Sequence, residues 1–394
     1  MSAAPESTFL REAIVGAAPA ASELVETALV IIAERGHHRY APRGVEQPTI
    51  PAARSSPAQE HWMKAITQDR YGSSDVLRLD EVATPAAGAD EVLVRVHAAG
   101  VGPEVWHIMT GRPYFVRLMG FGVRAPNQRV PGRDLAGTVE AVGRAVTEFQ
   151  PGDEVFGSGR GTLAQYACAA AADEGKVGGA GVLAPKPANL TFEQAAAVPT
   201  SGATALQGLR DAGGVRGGQS VLIIGASGGV GTFAVQLAKH FDAHVTGVCS
   251  TAKTELVRSL GADAVIDYTR EDFADRPERY DLILDTAGRR SLSRLRRALT
   301  PRGKLVIVGG EGGGRLTGGF ERQLRAVILS RFVSQRLVPL TAVDRRADLL
   351  YLKDVIEDGK VTPVIDRTFA LGEAAEALTD AEEGHGRGKN VIVI

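Results

Sequence analysis

The run Val221-Leu222-Ile223-Ile224-Gly225-Ala226-Ser227-Gly228-Gly229-Val230-Gly231 joins an apolar stretch to a glycine cluster, and an amphipathic stretch follows to Lys239. It reads as a buried strand, a tight turn and a helix. Such a turn aims the unpaired N–H groups of a helix N-terminus at an anion, and glycine lets the backbone come close to it. The chemistry is phosphate binding, and the expected ligand is the pyrophosphate of a dinucleotide. Against the G-x-G-x-x-G spacing, Ala226 takes the first position, with Gly228 and Gly231 at the second and third. A glycine motif alone is weak evidence; the strand before it, the helix after it and the βα units beyond supply the context.

A second group of residues bears on which dinucleotide. The following strand ends Val248-Cys249-Ser250-Thr251 without an acid, and Lys253 comes next. A carboxylate at that place would hold the ribose 2′-hydroxyl of NAD and repel a 2′-phosphate. A hydroxyl and an ammonium are what a phosphate attracts. The expectation is a preference for NADPH.

These residues need a scaffold, and the chain around them alternates in the way one would require. Strands are expected at His244 to Val248, Ala264 to Ile266, Asp281 to Leu284 and Lys304 to Val308, with helices at Thr254 to Leu260 and Leu292 to Leu299. The strands are apolar throughout, as strands covered on both faces should be. The fold class is α/β, a doubly wound parallel sheet with helices on both faces. Upstream, from Met63, the texture is different. Lys64 to Thr67, Val92 to Val96, the glycine-punctuated Arg129 to Gly143 and the short Glu154 to Phe156 read as strands of a small β-rich domain. Two helical stretches, around Glu193 to Ala197 and at Ser201 to Leu209, lead into the glycine turn. The glycine-rich loop Gly175 to Gly181 receives no role. After Phe332 come a helix at Ala347 to Ile356, an extended piece at Thr362 to Ile365 and a helix at Gly372 to Thr379. The apolar terminal strand Val391 to Ile394 should return to the β domain and be buried there.

Composition bounds the function. The chain has 394 residues, 44% hydrophobic and 23% charged, enough for two cores. A formal net charge of -1 offers nothing to nucleic acid or to an anionic membrane. Two cysteines, Cys168 and Cys249, exclude a disulfide framework and a four-cysteine zinc site, and a reducing cytoplasm fits. No apolar run is long enough to cross a bilayer, and the N-terminus lacks the pattern of a signal peptide. Met1 to Trp62 stands apart. It reads as a disordered tail, or as residues ahead of a natural start at Met63, or as a short helix from Ser22 to Gly36 that docks on the body or on a partner, with a linker from Gly36 to His61.

From Met63 to Ile394 the chain resembles a medium-chain dehydrogenase/reductase of the zinc-free quinone oxidoreductase branch. The motifs that carry this are MKAITQDRYG, AAGVGPEVWHIMTGRP, PGRDLAGTVEAVG, FQPGDEVFG, APKPANLTFEQAAAVP, VLIIGASGGVGTFAVQLAK, GADAVIDYTREDF, YDLILDTAG, LTPRGKLVIVGG and GKVTPVIDRTF, in that order. The resemblance implies a GroES-like catalytic domain over 63–186, a Rossmann domain over 187–330 and a return to the first domain over 331–394, after an extension over 1–62. It also implies a cleft between the domains and homodimers built through the Rossmann sheets. Residue by residue, it places Ser227, Gly228, Gly229, Val230 and Gly231 around the pyrophosphate. Ser250, Lys253 and Tyr268 match positions that hold the 2′-phosphate, Thr204 lies beside the nicotinamide, and Gly288, Val308, Gly309 and Gly310 border the nicotinamide side.

In zinc-dependent members a cysteine and a histidine stand where this chain has Gly102 and Arg133, and neither replacement is a zinc ligand. No metal is therefore expected. Many quinone reductases also carry asparagine at the position of Gly102 and aspartate at that of Val105. Glu104, Trp106, His107 and Tyr114 remain nearby. His107 reads as a proton donor or as a structural histidine, and no general acid is assigned. The expected activity is transfer of hydride from NADPH to a small-molecule acceptor, a quinone or an α,β-unsaturated carbonyl. An NADPH-binding sensor or scaffold with little turnover, and a metal-free alcohol or aldehyde oxidoreductase, are the alternatives.

Overall fold

A computed structural model describes residues 61–114, 117, 121–171, 181–309, 318–384 and 386–394. The helix expected after Ser22, most of the linker after Gly36, Gly310 and positions 175–180 of the glycine-rich loop lie outside the described residues.

The chain opens with a hairpin-like pair, β1 (Trp62–Thr67) and β2 (Arg78–Ala83), joined antiparallel. Then come β3 (Glu91–Val101), α1 (Pro103–Thr110), β4 (Asp134–Val142), β5 (Glu154–Ser158), β6 (Tyr166–Ala170) and β7 (Val182–Pro185). Two short helices follow, α2 (Phe192–Ala196) and α3 (Pro199–Leu206). Thr191 caps α2 through a reciprocal pair with Gln194, which satisfies two helix-end donors at once. The expected helix ending at Leu209 continues as wider turns to Gly213, until Gly214 takes a left-handed conformation.

The second half builds on β8 (Ser220–Ile224), α4 (Gly229–His240), β9 (His244–Cys249), α5 (Thr254–Ser259), β10 (Ala264–Asp267), β11 (Tyr280–Asp285), α6 (Leu292–Ala298) and β12 (Leu299–Ile307). It ends with α7 (Phe320–Leu329), β13 (Arg336–Pro339), α8 (Arg346–Glu357), β14 (Ile365–Ala370), α9 (Ala374–Glu383) and β15 (Lys389–Val393).

Six of these strands form one sheet in the order β10-β9-β8-β11-β12-β13, with every neighbouring pair parallel. This is the expected doubly wound sheet. Its strand residues alternate between two cores. Val221 and Ile223 join one apolar cluster, while Leu222 and Ile224 join another on the opposite face. All four are at most 4% exposed, which explains why β8 shows no polar alternation in sequence. The first cluster also takes in Ala98, Ala136 and Phe156 from the β-rich half, so one continuous core joins the two sheets.

The other sheet runs β14-β15-β3-β4-β5-β7, with β6 on β3. The terminal strand β15 returns to it as expected. It pairs antiparallel with β3, and Val391 and Ile392 are fully buried. The division expected at residue 330 is displaced, because β13 completes the parallel sheet beyond that point. The extended piece expected from Thr362 enters the sheet only at Ile365. No helix among the described residues is long and apolar enough to cross a membrane.

Candidate dinucleotide site

The parallel sheet reverses its strand order between β8 and β11, and ligands of such sheets sit at the carboxyl ends of the strands at that reversal. The glycine turn lies there, after β8. Gly225 has φ +82°, a conformation that favours glycine, and the amides of Gly225 and Ala226 both donate to the carbonyl of Val248 at the end of β9, at 3.2 and 3.1 Å. Gly228 caps α4 in an extended conformation. A side chain at Gly231 would bring its Cβ to 2.0 Å from the carbonyl oxygen of Gly225. The third glycine is thus demanded by close packing of helix on turn. Gly228, Gly229 and Val230 are half-buried at the open end of the 12-residue α4, whose first N–H groups have no acceptor within the helix. Ser227 is buried, and its carbonyl receives the amide of Gly388 at 2.9 Å.

On the ribose side, Ser250 precedes a single 3-10 turn that carries Lys253. The Lys253 ammonium donates to the carbonyl of Gly386 at 2.7 Å. Burial holds its pKa below the ordinary lysine value. The residue it bonds to precedes Arg387, and a Cβ at Gly386 would lie 3.1 Å from Asp366 Oδ2; Arg387 adds to the lowering and Asp366 opposes it. The sequence alone singles out neither, because more than a hundred residues separate them from Lys253 and only β14 and β15 bring them back. Tyr268 follows β10 with its ring 49% exposed, and its amide donates to the carbonyl of Cys249 at 3.1 Å. Ser250, Lys253 and Tyr268 thus gather at the ends of β9 and β10.

On the nicotinamide side, Asp285 at the end of β11 organises the backbone. Its carboxylate accepts from the amide of Gly288 at 3.1 Å and pairs with Arg322 on α7. Its carbonyl receives the amides of Val308 and Gly309 at 3.0 and 3.4 Å. Gly288 has φ +67°. Thr286 donates both its amide and its hydroxyl to the carbonyl of Ile224, at 3.1 and 2.8 Å, tying this edge to the strand before the glycine turn. Thr204 is buried on α3.

Where the two halves meet, Lys389 is 4% exposed. Its ammonium donates to Glu104 Oε1 at 2.8 Å and lies 3.1 Å from Asp134 Oδ2. Burial opposes its charge, yet the two carboxylates outweigh burial and keep it protonated far above the usual lysine range. Burial also opposes the charge of Glu104, but Lys389 prevails and holds that carboxyl below its ordinary value. Asp134, fully buried, is pushed up by burial in spite of Lys389 and of the Thr200 hydroxyl and amide that bond to it. The stem of Lys389 passes close to Gly229, where an added Cβ would lie 3.8 Å from its Cδ and 3.0 Å from Ser201 Oγ. The glycine turn therefore rests against both halves.

The two positions where zinc-dependent relatives carry ligands are engaged otherwise. A Cβ at Gly102 would sit 2.8 Å from the Lys389 ammonium, and Arg133 pairs with Asp344. His107 donates its Nδ1–H to the carbonyl of Arg112 at 2.8 Å, a structural bond. Val105 is fully buried in the β-rich core, so that position faces no cleft in this chain. Glu104 turns to Lys389, whereas Trp106 and Tyr114 line a different cavity on the far side of α1.

A pyrophosphate fits this turn: the glycines at 225 and 231 let the turn and α4 pack tightly, and donors rather than acceptors point from the helix end. Two family models match the chain, the alcohol dehydrogenase GroES-like domain over residues 88–207 and the zinc-binding dehydrogenase over residues 260–392. The 2-methylene-furan-3-one reductase of Solanum lycopersicum is 36% identical over 347 residues, covering 84% of this chain and 79% of that protein. The chloroplastic NADPH-dependent alkenal/one oxidoreductase of Arabidopsis thaliana is 35% identical over 349 residues, with the same coverage of 84% and 79%. The solved quinone oxidoreductase from Coxiella burnetii is 29% identical with a TM-score of 0.71, covering 85% of this chain and 100% of that one. With this sheet order, this glycine turn and these relatives, the chain belongs to the medium-chain dehydrogenase/reductase superfamily, in its quinone oxidoreductase-like branch, and is an NAD(P)H-dependent oxidoreductase.

Proposed function

We propose that the protein is an NADPH-dependent reductase that delivers hydride to a quinone or an α,β-unsaturated carbonyl without a metal. The observation that carries this is the cationic ribose side. Lys253 follows a strand that carries no acid and bonds to the carbonyl of Gly386, the chain neighbour of Arg387. Asp366 counters part of that charge, which leaves one net positive charge among the three for a 2′-phosphate.

The nicotinamide, when bound, supplies the hydride, which is the difficult part of the chemistry. What the chain contributes is position. Ser227 to Gly231 hold the pyrophosphate. The bonds from Asp285 fix the backbone of Gly288, Val308 and Gly309, which border the ring. Charge developing on the acceptor oxygen is met by hydroxyl, amide or water donors, since Gly102 and Arg133 supply no zinc ligand. No side chain is assigned as proton donor, and His107 is already committed through Nδ1.

Rapid mixing of the protein with NADPH and a panel of quinones, enones and enals should oxidise the cofactor, with metal analysis finding no stoichiometric zinc. NADPH binding without turnover across the panel would instead favour a sensor or scaffold. NADP reduction driven by an alcohol would favour a metal-free alcohol or aldehyde oxidoreductase. We also propose a homodimer. Support comes from β13, the outer strand of the parallel sheet, and from the neighbouring α7 region, where Leu324, Ile328 and Phe332 are 53%, 52% and 79% exposed. The cytoplasm suits the two buried free thiols, of which burial pushes both Cys168 and Cys249 up to about 11.

A further inference from the structure

We propose that the cavity on the outer side of α1 binds a small planar carboxylate, seated against the guanidinium of Arg112. The helix presents its two sides to different places. Glu104 faces Lys389 at 2.8 Å, toward the glycine turn. Trp106 and Thr110 stand roughly 200° and 240° further round the helix, at about 100° per residue, and line the cavity instead. The cavity is thus on the opposite side of α1 from the Glu104–Lys389 contact.

Its volume is about 220 Å³, and its walls include Tyr71, Trp106, Arg112, Tyr114, Arg117 and Glu382. Pockets for drug-sized ligands start near about 300 Å³, so this one suits a single-ring molecule. The walls are braced. Tyr71 shares its one hydroxyl proton between the carbonyls of Phe121 and Gly122, at 2.9 and 2.7 Å. Arg117 lies with its guanidinium carbon 4.2 Å from the ring centre of Tyr71 and 4.7 Å from that of Tyr114. It spends Nε and Nη2 on the carbonyls of Gly111 and Thr110, at 2.9 and 3.3 Å.

Arg112 is different. Its backbone is held at both ends, the amide by Thr110 Oγ1 at 3.3 Å and the carbonyl by His107 at 2.8 Å. Its side chain, half-buried, makes no ion pair or hydrogen bond with any described residue. A half-buried cation with no bonded counter-charge among the described residues is unfavourable, and a carboxylate matches the guanidinium fork with two parallel bonds. Two guanidiniums against one carboxylate, Glu382, leave the lining net positive. Three aromatic side chains among the walls, Tyr71, Trp106 and Tyr114, favour a flat ligand over a branched one.

Trp62 and Trp106 are the two tryptophans of the chain, and Trp62 is 61% exposed. Trp62→Phe in the full-length protein therefore leaves Trp106 as the reporter. Benzoate added to this variant should change the tryptophan emission saturably, without any cofactor present. Arg112→Ala on the same background should weaken benzoate on the order of tenfold or more, as expected for a lost bidentate pair, and Glu382→Gln should tighten it. Arg112→Lys, which keeps the charge and loses the fork, should fall between, and it carries the comparison if Arg112→Ala melts at a lower temperature. A flat titration, or an affinity indifferent to both Arg112 substitutions, overturns the proposal. So does displacement of benzoate by NADPH or by the hydride acceptor, which would put the ligand in the cleft.

Discussion

The Lys389 ammonium and the Glu104 carboxylate meet at 2.8 Å across 285 residues of chain. With Asp134 they form a buried charge cluster between the terminal strand, α1 and β4. The same segment that supplies Lys389 also pairs with the glycine turn, through the Gly388 amide on the Ser227 carbonyl at 2.9 Å. Holding the terminal strand in place and holding the phosphate seat in place are one task.

Lys389→Met should show what the cluster is worth. Removing one member of a buried ion pair costs about 3–5 kcal/mol, because the partners are left charged and dry. The pH dependence gives a second reading. In the wild type, Glu104 is held below its ordinary value, so its contribution is present above the unfolded carboxyl range and fades as pH falls through the lowered folded value. In the variant the Lys389 charge no longer offsets burial, so Glu104 should be raised as Asp134 already is in the wild type, and stability should fall further as pH rises. Thermal melts from pH 4 to pH 8 should show the variant losing more melting temperature with rising pH than the wild type.

Gly231→Ala tests the packing demand at the turn. The added methyl would meet the Gly225 carbonyl at 2.0 Å, so either helix or turn must move. Overpacking of this kind costs about 1–3 kcal/mol. NADPH affinity measured by calorimetry should drop by more than the melting temperature alone would suggest, because the donors at the end of α4 are displaced.

Lys253→Ala and Arg387→Ala test the cofactor choice. Each should weaken NADPH, with little effect on NADH, and the loss should shrink at high salt as charge pairs are screened. Asp366→Asn should act in the opposite direction and tighten NADPH, since it removes a carboxylate whose charge acts on Lys253 and opposes a phosphate. Equal losses for both cofactors in the two alanine variants would mean that these side chains serve the fold alone.

Ile328→Asp addresses the dimer. Leu324, Ile328 and Phe332 recur every fourth residue on the exposed side of the α7 region, beside the outer strand β13. A charge in the middle of that stripe should convert a sedimenting dimer to a monomer without altering the melting temperature of the monomer. Wild-type protein that sediments as a monomer would remove the basis for the interface.

Much of this molecule is legible from local pattern. The glycine spacing, the apolar runs Val221 to Ile224 and Leu282 to Leu284 and the alternation of βα units each follow from short-range sterics and from burial on both faces of a sheet. So does the return of Val391 and Ile392 to the β-rich half, because a terminal strand that apolar has to be covered. The helices α1 and α7 are harder to read, since α1 is a short helix begun by Pro103 and α7 carries an apolar stripe on its exposed side.

Contacts between charges far apart in the chain leave no local trace. Nothing near Lys253 reveals Gly386, Arg387 or Asp366, and nothing near Glu104 reveals Lys389. Periodicity reports which face of an element is buried, because that is settled within one or two turns of chain. Which polar groups share a buried space is settled only when the sheets pack, since a lysine can be desolvated only where the fold has already gathered carboxylates to receive it.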